Sequence, residues 1–298
     1  MLIKNNCSKQ DLMPLLGGKF CGTKRMKGFF LLRRGVEIDP ATFDKDTLDQ
    51  LITEGNFIGY IEPHNIEDND QEAEYATLTN KKRLKRLDGV KGWRFVFERG
   101  NCFQNELNRL DSSEDWTFAP VLDDGKAVLA EKSNGKLTGF NSDFFVNVYK
   151  LPVGTDFAGS TLEVDIDPSA TKLWQGSADL YSSDEFSFDE INSTARINIE
   201  VPALVSGATT TKVKITGSCS GGRVVGLTDM ANWSIDVDGI RTALTGVTYD
   251  QTTGEYTFTH AALVAASNVS FVTTKNGFDV YVKDTKFYSG QSIPKKVA

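Results

Sequence analysis

Histidine is almost missing from this chain: His64 and His260 are its only two in 298 residues. A Ser/His/Asp or Cys/His centre needs a base and an orienting partner within hydrogen-bond reach. The two histidines lie far apart in sequence, and His260 ends a strand-like run with no carboxylate beside it. Both are expected at the surface, and a histidine-rich metal centre is excluded by count. Cysteine is scarce as well. Cys7, Cys21, Cys102 and Cys219 include no Cys-x-x-Cys pair, which excludes a zinc site built from close cysteines. Their separations show no framework, so the thiols are expected to be reduced. Only 8 prolines and no low-complexity tract occur, and nothing argues for disorder. No apolar run approaches the ~18 residues of a membrane helix. Residues Met1 to Asn6 lack the apolar core of a signal peptide, and folding in a cytoplasm is the expectation.

What is present is ordinary for a globular protein: 40% hydrophobic, 24% charged and 10% aromatic residues. The length suits roughly two domains at ~100–200 residues each, enough to bury a core without staples. The net charge is −7 and uneven. Residues 1–150 carry 22 basic against 23 acidic side chains, and residues 151–298 carry 11 against 17. Such a chain is a poor general ligand for nucleic acid, because neutralising phosphates needs a net basic face.

Local patterns that touch on chemistry are weak. Gly17-Gly18-Lys19-Phe20-Cys21-Gly22-Thr23-Lys24 resembles a phosphate loop, but the hydroxyl precedes the lysine and no apolar strand leads in. Asp236-Val237-Asp238-Gly239 looks like the start of a calcium loop, yet no bidentate carboxylate follows in register. A strand entering a turn is expected there. Abundant acids alone do not make the carboxylate pair of a glycosidase. No catalytic, cofactor-binding or metal-ligating residue is therefore assigned, and no cofactor is expected.

The fold class expected is mainly β, with an α+β first domain and a second domain that is an immunoglobulin-like β-sandwich. The first domain is an antiparallel sandwich or barrel with two short helices. Residues 1–20 read as a flexible N-terminal arm hinged at Gly17-Gly18, residues 21–202 as a β-rich domain, and residues 208–298 as the sandwich. Phe29–Leu32 and Val36–Ile38 suggest a strand pair. Leu48, Leu51 and Ile52 recur at helical spacing over 43–54, with Asp44, Asp46 and Asp49 early and Gly55 as a stop. Trp93, Phe95 and Phe97 alternate with Arg94, Val96 and Glu98, the period of a half-buried strand. A helix follows Gly100-Asn101, and strands are expected at Thr117–Leu122, Ala127–Glu131, Phe144–Lys150, Leu162–Ile166 and Arg196–Val201. Beyond the boundary near 202–208, strands are expected at Thr211–Thr216, Trp233–Val237, Leu244–Tyr249, Glu255–Thr259, Val269–Thr273 and Phe278–Val282. Lys275-Asn276-Gly277 reads as a hairpin turn, because Asn-Gly tolerates the positive φ of type I′.

The most distinctive stretch is residues 62–88, read as a long exposed hairpin or loop. It opens with Glu67, Asp68, Asp70, Glu72 and Glu74 and closes with Lys81, Lys82, Arg83, Lys85 and Arg86. Between them Tyr75–Thr79 is strand-like. One reading is a solvated loop with local ion pairs worth ~0–1 kcal/mol each. The other places the carboxylates of one subunit against the cations of the next, a head-to-tail contact that closes a ring or propagates a tube.

The arm 1–20, the loop 62–88, the strand and helix within Gly92–Leu110, the hairpins at 117–150 and the sandwich from 208 together form a layout. It resembles structural proteins of tailed-bacteriophage virions, in particular tail-tube and neck-ring proteins with a C-terminal immunoglobulin-like domain. The resemblance covers most of the chain but is one of architecture and carries over no functional residue. It implies a non-enzymatic, self-assembling virion component made in the host bacterial cytoplasm. The partners would be copies of itself and other virion proteins, with no membrane and no specific nucleic acid, although DNA passes through the lumen of such tubes. Two rival readings are a capsid decoration or a receptor- or glycan-binding protein using Trp233 or Tyr249, and a carboxylate-based hydrolase.

Overall fold

The computed structural model describes residues 1–5, 24–87, 89–151, 153 and 159–298. The protein is mainly β, with antiparallel sheets and short helices. Two compact units are present: Met1–Leu51 with Gly55–Ile191, and Ile52–Glu54 with Asn192–Ala298. In chain order the elements up to Ile191 are β1 (Leu2–Asn5), β2 (Met26–Arg33), α1 (Lys45–Thr53), β3 (Phe57–Ile61), β4 (Asn65–Asp68), β5 (Glu74–Thr77), β6 (Arg83–Leu87), β7 (Gly92–Phe97) and α2 (Asn101–Leu107). There follow β8 (Trp116–Leu122), β9 (Ala127–Glu131), β10 (Leu137–Thr138), β11 (Phe140–Lys150), β12 (Gly159–Ile166), α3 (Thr171–Gly176) and β13 (Ala178–Ser183).

One long sheet runs β1-β13-β9-β8-β11-β12-β7-β4, with β2 joining β8 to β3. β11 connects its two halves: Phe140 and Asn141 pair with β8, and Ser142 onward pairs with β12. The halves share a core of Phe29, Phe95, Phe118, Phe140, Phe144 and Leu162 with their neighbours. Alternation decides which residues enter it. Trp93, Phe95 and Phe97 are buried, and Arg94 and Val96 between them are not. β8 lies deeper and is buried at every position but its first, an apolar run broken only by Thr117, whose hydroxyl donates to the Leu32 carbonyl.

Local chemistry explains the element ends. Asp44 caps α1, its carboxylate accepting from the Thr47 amide and hydroxyl. These bonds hold the Asp44 carboxyl below its ordinary range. Some expectations fail. Val36–Ile38 forms no strand with Phe29–Leu32; Ile38 makes a single bridge to Leu137, while β2 takes β3 and β8 as partners. The arm expected over 1–20 is, at its start, β1, paired with β13 and with Leu2 buried. Lys4 Nζ lies 2.6 Å from Glu131 and 2.7 Å from Asp179, so two cross-strand carboxylates fix the strand. The rest of the arm, the Gly17-Gly18 hinge and Gly22-Thr23 of the phosphate-loop-like segment lie outside the described residues.

The second unit holds β14 (Ala195–Glu200), β15 (Thr210–Gly217), β16 (Trp233–Val237), β17 (Ile240–Ala243), β18 (Gly246–Asp250), β19 (Glu255–Thr259), β20 (Asn268–Thr273), β21 (Tyr281–Lys283), β22 (Lys286–Ser289) and β23 (Lys295–Lys296). They make a sheet β18-β19-β15-β14-β22-β21 and a sheet β17-β16-β20-β23. Ile199, Val213 and Phe258 from the first share one core with Trp233, Ile235 and Phe271 from the second, a β-sandwich. β14 belongs here because β15 and β22 flank it. The unit therefore begins before this strand rather than at 202–208.

Turn chemistry is visible at two places. Asn276 and Gly277 have φ of 51° and 87°, as a type I′ turn requires, but only Lys275 and Phe278 bridge across it. β20 and β21 then part into different sheets, so Phe278–Val282 shortens to a strand beginning at Tyr281. Asp238-Gly239 closes the β16–β17 hairpin the same way, with Asp236 accepting from the Gly239 amide at 2.8 Å. The expected strand at Leu244 begins only at Gly246. Reduced thiols were expected, yet Cys102 and Cys219 are both disulfide-bonded. Bonds between cysteines distant in sequence leave no local spacing pattern; Cys7 and Cys21 lie outside the described residues.

Candidate assembly surface

β5 and β6 form a two-stranded hairpin that hydrogen-bonds to no other strand among the described residues. Its turn is local: the Lys81 amide donates to the Leu78 carbonyl and the Asn80 side chain accepts from the Lys82 amide. Every residue from Glu74 to Arg86 is exposed. Register puts Tyr75 opposite Lys85 and Thr77 opposite Arg83 on one face, with Ala76 opposite Leu84 on the other. Both faces are exposed. Tyr75, Leu78 and Leu84 stay 51%, 42% and 45% exposed, although the Arg83 guanidinium lies 4.9 Å from the Tyr75 ring centre. Two-stranded ribbons are marginal in water unless a third element packs on them.

The ten charged residues singled out in this segment do not behave alike. Glu67 and Asp68 lie on β4, inside the main sheet, where Arg94 reaches Glu67 at 3.1 Å and Lys91 reaches Asp68 at 3.0 Å. Asp70, just after β4, takes Lys91 at 2.6 Å and the Gly92 amide at 3.0 Å. Lys91 holds the Asp68 carboxyl below its usual range. Burial opposes the Lys91 charge, but its bonds to Asp70 and Asp68 raise its pKa on balance. Those three carboxylates thus have partners in their own subunit. Glu72, Glu74, Lys81, Lys82, Arg83 and Arg86 make no ion pair among the described residues. Lys85 lines a cleft of about 310 Å³ with Asp70, Lys91, Thr171 and Trp174 at the base of the hairpin.

A second surface escaped the sequence. The outward rows of β11, β12, β7 and β4 run Asp143–Asp165–Gly92 and Phe145–Glu163–Arg94–Glu67. Asp143 and Asp165 are directly opposed, a destabilising like-charge pair. A side chain at Gly92 would sit 2.2 Å from Asp165 Oδ1, so glycine there leaves the carboxylate its space. Asp165 Oδ1 is buried without a hydrogen-bond partner. Burial, then Glu163, Asp143 and Asp70, push its carboxyl above the ordinary range. Arg94 Nε is 3.8 Å from Glu163, and Phe145 beside them is 45% exposed. Asp165 lies in the expected strand Leu162–Ile166, but Asp143 falls just before the expected Phe144–Lys150, and their pairing depends on a register the sequence does not show.

Other candidates fall into ordinary roles. His64 is exposed, 3.2 Å from Glu98. His260, expected at the surface, is buried, with Nε2 2.9 Å from the Thr211 hydroxyl and Nδ1 2.8 Å from the Ala261 carbonyl. Trp233, offered as a ligand-binding aromatic, is fully buried and donates to the Leu227 carbonyl at 2.9 Å. Tyr249 packs half-buried on the same core, 4.7 Å from Tyr256. Asp238 accepts from the Asn268 amide. Among the described residues no three His, Cys, Asp or Glu side chains converge as metal ligands, and no helix is long and apolar enough to cross a membrane. No protein-family model matches this sequence, and no curated protein is similar to it.

Proposed function

We propose that this protein is a non-enzymatic structural component of a bacteriophage virion that self-assembles into a ring or tube in the tail or neck. The observation that supports assembly is the β5–β6 hairpin. It carries Tyr75, Leu78 and Leu84 and the cations Lys81, Lys82, Arg83 and Arg86, with both faces open to solvent. Exposed apolar side chains on a ribbon that hydrogen-bonds to no other strand among the described residues fit a contact made by a second molecule. The virion setting rests on the resemblance of layout, with the sandwich as an outer decoration. Disulfides at Cys102 and Cys219 accord with the exterior of a particle, where such bonds persist.

Sizing by light scattering and negative-stain imaging test this reading. The wild-type protein is expected to form discrete rings or polymers, and reversing the charges of Lys81, Lys82, Arg83, Lys85 and Arg86 to abolish them. A wild-type chain that stays single at high concentration sinks the proposal; assembly that survives the reversal removes the hairpin's role.

A further inference from the structure

Resting on the assembly reading above, we infer that the outer face of β11 and β12 is the acceptor for the β5–β6 hairpin of a second copy of this chain. Asp143, Glu163 and Asp165 receive the hairpin's cations, and Phe145 receives its apolar side chains. The argument is an accounting of unmet interactions on each surface.

The acceptor face carries more negative charge than its own subunit neutralises. Asp143 opposes Asp165 across the strands, and no ion pair or hydrogen bond reaches the Asp143 carboxylate among the described residues. Asp165 keeps one buried oxygen without a donor. Two cations of the neighbouring segment are committed: Lys91 to Asp68 and Asp70, and Arg94 to Glu67 at 3.1 Å and, more distantly, Glu163 at 3.8 Å. The opposite face of the same strands, with Phe144, Val164 and Trp93, belongs to the core, which leaves this face for an incoming molecule.

The hairpin has the complementary surplus. Lys81, Lys82, Arg83 and Arg86, which make no ion pair among the described residues, need anions, and Tyr75, Leu78 and Leu84 need apolar cover. The donor and acceptor are different surfaces of one chain, so the contact is head-to-tail and repeats without limit or closes on itself. A charge pair of this kind sets register and speeds encounter, while Phe145 offers the apolar area.

Sedimentation velocity across a concentration series, paired with chemical denaturation of the dissociated chain, tests the assignment. Asp165→Asn removes the repulsion within the subunit and a ligand for the neighbour. It is expected to raise the denaturation midpoint while weakening assembly about tenfold, two opposite movements that a purely structural residue does not give. Asp143→Lys with Glu163→Lys is expected to block assembly, and adding Lys82→Glu, Arg83→Glu and Arg86→Glu in the same chain to restore it. Circular dichroism establishes that each variant is folded. If Asp143→Asn and Asp165→Asn assemble like wild type while the hairpin reversal dissociates the particles, the acceptor face is wrong and self-assembly stands. A wild-type protein that never assembles removes both.

Discussion

Replacing Tyr75, Leu78 and Leu84 together by serine separates assembly from folding. These side chains are 51%, 42% and 45% exposed, and none belongs to either described core cluster. Fully burying a large apolar side chain is worth about 1.5–3 kcal/mol, so covering the exposed half of each gives roughly 1 kcal/mol, and roughly 3 kcal/mol for the three. Since each ~1.4 kcal/mol is a factor of ten, the triple variant is expected to weaken the subunit contact about a hundredfold. The monomer is expected to lose little, because surface changes away from caps and cores stay within about 0.5 kcal/mol. The Arg83–Tyr75 contact is internal to the hairpin, and its loss does not reach the core. Analytical ultracentrifugation over a wide concentration range reads the first quantity, and a urea titration of the dissociated chain reads the second. The reasoning is refuted if the assembly midpoint moves less than about threefold, or if the urea midpoint falls as it would for a core deletion.

Further outcomes follow from single features. Trp233→Ala is expected to cost about 3–5 kcal/mol, since the ring is fully buried and its N–H holds the Leu227 carbonyl; a loss below about 1 kcal/mol in denaturant titration contradicts its place in the core. Ala266 has φ of 66°, and Ala266→Gly is expected to stabilise the protein by up to about 1 kcal/mol, read as a raised urea midpoint. Mass spectrometry after alkylation is expected to find Cys102 and Cys219 unmodified until a reductant is added; labelling without reduction disproves the bonds. Asp165 supplies a pH test. The folded chain holds this proton more tightly than the unfolded one, so stability falls as pH rises from the ordinary Asp value of ~4 through the raised value. Asp165→Asn lacks that slope; equal slopes for the two proteins in urea titrations across this range refute the assignment.

Much of the fold was legible where neighbours in sequence set the structure. β9, β16 and β19 occupy the expected residues because alternation and flanking turns are local signals. The stop of α1 is read from Gly55, at φ 71°, while Asp44, read as one of the acids of the first turns, proves to be its cap. Failures came where partners were distant. Nothing in Val36–Ile38 says that β2 prefers β3 and β8, and nothing around Asn276-Gly277 says that its flanking strands leave for different sheets. A hairpin or loop was anticipated from its polarity, but the fates of its charges depended on Arg94 of β7 and Lys91 just before it, whose side chains reach back to Glu67 and Asp68 of β4. Trp233 and His260 show the same limit: residue type suggested a surface role, and sheet packing buried both.

The acidic and basic halves of residues 62–88 look equivalent as charge runs, yet the sheet treats them differently. Glu67, Asp68 and Asp70 are drawn into the subunit by cations one strand away, whereas Lys81, Lys82, Arg83 and Arg86 make no ion pair among the described residues. A zipper of like segments from successive copies would therefore have to break existing pairs at Glu67, Asp68 and Asp70, leaving only Glu72 and Glu74 ready to receive cations. Asp143 and Asp165 require no such exchange, because they oppose each other and neither makes an ion pair among the described residues. Exposed pairs contribute only ~0–1 kcal/mol each, so even several of them supply less than the apolar cover offered by Tyr75, Leu78, Leu84 and Phe145. In the proposed assembly, charge selects which surfaces meet and in what register, and hydrophobic contact decides whether they stay together.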